Sequence, residues 1–65
     1  MSNLVNVTVP FIDDMGSISD FLAIDYPMTS YREDALSTIN SMRDHDGLPH
    51  LKRMPNGTKY NIVFD

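Results

Sequence analysis

Asp44, His45, Asp46 and His50 lie within one short span, and side chains of these types can hold a metal or move a proton. A metal site needs fixed geometry and supporting hydrogen bonds, and this spacing matches no metal-binding pattern. No metal and no cofactor is expected. Hydrolysis would pair the histidines with Ser37 or Ser41, but neither a nucleophile elbow nor a triad context surrounds those serines. The chain does not read as an enzyme, and a polar loop at a helix end accounts for the four residues. Asp13 and Asp14 make a carboxylate pair, which a turn ahead of a helix explains as well.

The remaining candidates are binding residues. Arg32 can offer its guanidinium to a base edge, or lie solvated beside Glu33. Lys52, Arg53 and Lys59 can meet phosphates, or guard an edge strand against aggregation. Tyr31 and Tyr60 can stack on bases or anchor a protein interface, where tyrosine is enriched. For Tyr60 a core position with a bonded hydroxyl is the simpler reading. Met15, Met28 and Met42 can line an adaptable surface or fill gaps in a core.

Charge is unevenly spread among these residues. The net charge is −4. Arg32 and Arg43 face eight acids in residues 1–47: Asp13, Asp14, Asp20, Asp25, Glu33, Asp34, Asp44 and Asp46. Residues 48–65 reverse the balance, with Lys52, Arg53 and Lys59 against Asp65. An acidic chain opposes non-specific binding to nucleic acid, which needs cations to neutralise phosphates. The basic C-terminal segment partly restores that option.

With 65 residues the chain fits one domain, 1–65. A domain of this size buries only about 60% of the surface its unfolded chain exposes. It has no cysteine, so no disulfide can reinforce it, and a reducing compartment suits it. A homodimer or another partner surface would supply further burial. Met1-Ser2-Asn3 does not start a signal peptide, and the apolar runs are too short to span a bilayer. A cytoplasmic protein without membrane contact is the expectation.

The elements that must position these side chains follow from periodicity. Val5, Val7, Val9 and Phe11 alternate with Asn6, Thr8 and Pro10, which predicts a half-buried strand over 4–11. Pro10 belongs at its end or on an edge. After the turn at Asp13-Asp14-Met15-Gly16, Ser17 to Asp20 resembles a capping box. Ile18, Phe21 and Leu22 then predict a short helix from Ser17 to about Ile24. Ser30 and Glu33 form a second capping box, with Thr29 a competing cap, and open a helix over 30–44. Its apolar stripe is Tyr31, Ala35, Ile39 and Met42, widened by Leu36. Arg32, Glu33, Ser37, Asn40 and Ser41 lie largely opposite, and Gly47 terminates the helix.

Met54-Pro55-Asn56-Gly57-Thr58 predicts the turn of a hairpin over 50–64. A type I′ turn pairs Leu51 with Ile62, whereas a bulged turn pairs Lys52 with Tyr60. Both put Tyr60, Ile62 and Phe64 toward the core. The expected fold is therefore α+β, in the order β-α-α-β-β, with a three-stranded antiparallel sheet packed on two helices.

From Ile18 onward the chain resembles the winged helix-turn-helix domains of bacterial and phage DNA-binding regulators. The resemblance lies in Ile18-Ser19-Asp20-Phe21-Leu22 as a first helix and Thr29 to Leu36 as the opening of a second. Gly47-Leu48, Leu51-Lys52-Arg53, Asn56-Gly57-Thr58 and Tyr60 look like the strand–wing–strand. It implies a small winged-helix-like domain acting as a DNA-binding regulator or architectural protein. Thr29, Ser30, Tyr31 and Arg32 would then lie near base edges in the major groove. Lys52, Arg53, Asn56 and Lys59 would touch phosphates or the adjoining minor groove.

The acidic balance supports a different expectation. Asp13, Asp14, Asp20, Asp25, Glu33 and Asp34 would face a basic protein. The chain would then be a phage-type inhibitor or adaptor that blocks a host protein, in one version by mimicking the charge of a nucleic acid. Architecture points to DNA and charge points to a protein.

Overall fold

The computed structural model describes the backbone of residues 3–64 and the side chains of residues 3–63. The expectations for Met1-Ser2 and for the Phe64 side chain lie outside the described residues.

Strand β1 (Asn3–Ile12) forms where the sequence alternates, and Val5, Val7 and Val9 become almost wholly buried. Asp13 turns the chain back: its Oδ1 accepts the amides of Met15 and Ser17, each at 2.9 Å. Gly16, at φ 80°, supplies the left-handed step of that turn. Strand β2 (Ile18–Pro27) then pairs antiparallel with β1 over nine positions, from Leu4↔Pro27 to Ile12↔Ile18. Ser19 is the extra residue of a bulge, and its hydroxyl donates to the Phe11 carbonyl at 3.2 Å.

Ser17–Ile24 is therefore largely strand, not helix. Ile18, Phe21 and Leu22 fit a helical period, but Leu22, Ile24 and Tyr26 also alternate. The neighbouring β1 edge decides between the periods: pairing Val9, Val7 and Val5 with Leu22, Ile24 and Tyr26 puts six apolar side chains on one face. A two-turn helix offers no comparable burial.

Helix α1 (Tyr31–His45) follows and packs Ala35 and Ile39 onto the three valines. Its start differs from a capping box. The Ser30 side chain makes no cap bond; its hydroxyl donates to Asp34 Oδ2 at 2.7 Å. Its end is a Schellman motif: the Leu48 amide reaches Arg43 O at 2.8 Å and the Gly47 amide reaches Asp44 O at 3.1 Å. Gly47 takes φ 73°, the left-handed conformation the motif requires.

The 50–64 hairpin does not form. Only Lys59–Phe64 is a strand, β3, and it pairs with β1 from Asn3↔Phe64 to Thr8↔Lys59. Neither proposed register exists, because residues 50–54 are loop. The Asn-Gly turn survives without its hairpin: Thr58 N donates to Pro55 O at 3.3 Å, and Gly57 takes φ 90°.

The order is thus β1-β2-α1-β3, one helix on a three-stranded antiparallel sheet arranged β2-β1-β3, in place of β-α-α-β-β with two helices. β2 and β3 both run against β1, so β2-α1-β3 is a split β-α-β unit with β1 inserted. The winged-helix-like domain expected from the sequence is not what forms: its first helix is strand β2, and its wing hairpin is absent. Tyr60 and Ile62 lie on the helix side, since they pair with Val7 and Val5. They remain 44% and 58% exposed because α1 packs over β1 and β2.

The core is small enough for single truncations to matter. Ile39→Ala is expected to remove about 2–5 kcal/mol, comparable with the roughly 3–5 kcal/mol that a core of this size supplies. In a urea titration followed by circular dichroism the variant should be largely unfolded without denaturant. Exposed Ser37→Ala should change stability by no more than about 0.5 kcal/mol.

Candidate functional site

Strand and helix lengths set the shape of the molecule. Ten-residue strands at about 3.4 Å per residue reach about 34 Å, whereas the fifteen-residue helix at about 1.5 Å per residue reaches about 22 Å. The β1–β2 hairpin therefore overshoots the helix, and the molecule measures 41 × 21 × 16 Å. Apolar residues occupy the overshoot: Ile12 is 54% exposed, Met15 87%, Ile18 55% and Phe21 53%. Asp13, Asp14 and Asp20 stand among them, all exposed. Among the described residues no lysine or arginine lies within ion-pairing distance of these aspartates.

An open groove of about 700 Å³ lies beside this tip. Its walls are the end of β1 (Val9 to Ile12), the last turns of α1 (Ile39 and Met42) and the loop carrying Leu51 and Met54. Arg43 and Arg53 line it, with Asp46. Arg43 is anchored by Nε, which donates to Pro49 O at 2.6 Å. Arg53 is exposed. The loop wall is fixed by Asn40, whose amide both donates to Leu51 O at 3.0 Å and accepts the Leu51 amide at 2.7 Å. Sequence periodicity puts Asn40 on the solvent side of α1. It is half-buried and holds the loop in place of a strand partner.

The candidate DNA-contact residues divide: Thr29, Ser30, Tyr31 and Arg32 line one small cleft at the start of α1, and the other four lie elsewhere. Thr29 is exposed and Ser30 half-buried at the start of α1. Tyr31 meets Tyr60 edge-on, with ring centroids 5.7 Å apart. Arg32 lies over the Tyr31 ring at 5.6 Å and its Nε donates to the Tyr31 hydroxyl at 3.1 Å. Lys52, Arg53 and Asn56 are exposed in the loop after α1. Lys59 pairs with Thr8 and so shares the sheet face turned away from the helix.

The candidate acids divide as well. Asp13, Asp14 and Asp20 gather at the tip. Asp25 lies on the far sheet face, where its Oδ1 accepts from Asn6 Nδ2 at 2.8 Å. Glu33 and Asp34 lie in the first turn of α1, at the other end of the molecule. Of the tip's apolar residues the sequence singles out Met15 alone, because a helix over 17–24 buries Ile18 and Phe21. The alternation Leu22-Ile24-Tyr26 was the signal that places them in a long hairpin.

No known family model, curated protein or solved structure matches the chain. No helix among the described residues is long and apolar enough to cross a membrane.

The Asn40 clamp gives a direct test of how the groove is built. Asn40→Ala should destabilise the domain by about 1–3 kcal/mol, since it leaves the Leu51 N–H and C=O without their partner. Hydrogen exchange followed by NMR should show the Leu51 amide speeding up well before the amides of β1.

Proposed function

We propose that this chain is a protein-binding module, an adaptor or inhibitor, that meets its partner with the β1–β2 tip. The supporting observation is the contrast between core and tip. Five residues are buried as the hydrophobic core, while four large apolar side chains stand more than half exposed at one end. Scattered apolar residues are ordinary on a protein surface, whereas several gathered about one turn beside aspartates favour a contact site. Asp13, Asp14 and Asp20 supply the rim and favour a partner with basic groups around an apolar surface.

The DNA-regulator reading draws less support. Its cations are distributed between the start of α1, the loop over the groove and the far face of the sheet. Phosphate tracking needs cations along one face. The cytoplasmic location expected from the sequence goes with the protein-binding reading.

The test is affinity capture from the cells that make the protein, using the intact chain. The wild type should retain a stoichiometric protein that Met15→Asp and Ile18→Asp lose and that Arg32→Ala and Lys59→Ala keep. Recovery of DNA that Arg32→Ala abolishes, with tip variants behaving as wild type, would overturn the reading.

A further inference from the structure

We infer that a second copy of the same chain covers this face when no other partner holds it, joined by a two-fold exchange of tip into groove. The inference rests on reading the tip as a protein-contact surface. The tip is an apolar knob bearing acids: Met15 and Ile18 with Asp13 and Asp14. The groove is an apolar socket bearing Arg43 and Arg53. Each is what the other lacks, in shape and in charge. A surface that carries both members of a complementary pair is complementary to itself, which is the requirement for an isologous interface.

The two parts are also contiguous. Ile12 belongs to the exposed tip and to the groove lining. Knob and socket therefore lie at the same end of the molecule, as a contact that closes at two chains requires. Asp46 is the one acid among the groove's lining residues, so the arginines leave it net positive. A standard interface takes about 800 Å² from each partner. The chain exposes 4924 Å² in all, of which an interface of that size is a modest share.

Sedimentation velocity on the full chain from about 1 to 500 μM tests this, with the μM–mM range chosen for a modest interface. The wild type should pass from monomer to dimer across the series. Met15→Asp should weaken dimerisation about 30-fold or more, as loss of a central anchor does. Met15 is 87% exposed, so its replacement should leave the circular dichroism spectrum unchanged. Arg53→Glu should also weaken the dimer, and adding Asp14→Arg to it should recover the dimer by reversing both charges.

A wild type that stays monomeric throughout overturns the inference. So does a dimer that Met15→Asp and Arg53→Glu leave intact. A monomer that still captures a tip-dependent protein loses this inference and keeps the broader reading. A dimer with these dependences that captures no other protein keeps this inference and loses the adaptor role.

Discussion

The packing of Val5, Val7 and Val9 against Ala35 and Ile39 is the contact on which the remaining structure depends. β1 sits between β2 and β3, so its backbone is paired on both sides while one face lies under the helix. No other strand has that protection. β2 and β3 are edges, and each leaves apolar side chains partly exposed. A single helix cannot do more: its length covers only part of the hairpin, and its position over β1 and β2 leaves Tyr60 and Ile62 at the margin. The exposed apolar surface is thus a geometric consequence of having one helix for three strands. That part of it lies at a turn flanked by aspartates is a matter of sequence.

Pro10 sets where the sheet stops. Antiparallel pairing to β3 ends at Thr8, and proline has no N–H to extend a ladder. Beyond that point the loop takes over: Pro55 to Thr58 forms its own turn, and a Cβ on Gly57 would lie 3.5 Å from the Pro10 ring. With β3 absent there, Val9 to Ile12 become a wall of the groove. The groove therefore originates in the same residue that limits the sheet. Asn40 completes it by satisfying the Leu51 backbone groups that a strand would otherwise have satisfied.

Much of this was legible in the residues. The alternation from Val5 to Phe11 has one physical solution, and β1 adopts it. Tyr31 to His45 carries a helical stripe and a glycine stop, and α1 ends in the motif that Gly47 announces. The failures lie where local pattern is degenerate. Ile18 to Ile24 satisfies two periods, and only the long-range pairing with β1 selects the strand. Leu51 to Met54 has apolar residues and a turn signal behind it, but residues 50–54 do not take the free outer edge of β3. They fold back on α1, where the Asn40 side-chain amide holds Leu51. The acids of the tip were visible as part of a broader acidic surface, with Asp13 and Asp14 as a pair. Their grouping with Met15, Ile18 and Phe21 depended on the turn's position in space.

Charge separation along the molecule carries a consequence for assembly. Acids without counterions at the tip repel one another, and the arginines beside the groove lie on the neighbouring loop and helix end. Among the described residues no tip aspartate pairs with Arg43 or Arg53, so the opposite charges are not neutralised within one chain. Had the knob and socket stood at opposite ends, contact between copies would propagate head to tail, and the natural product would be a fibre. Ile12 joins them at one end. A contact between two such ends consumes both members of the pair at once and leaves nothing to extend. The position of the aspartates at the tip also discourages parallel alignment of two tips, since like charges would then face each other. Antiparallel crossing, tip over groove, is the arrangement in which apolar burial and charge pairing agree.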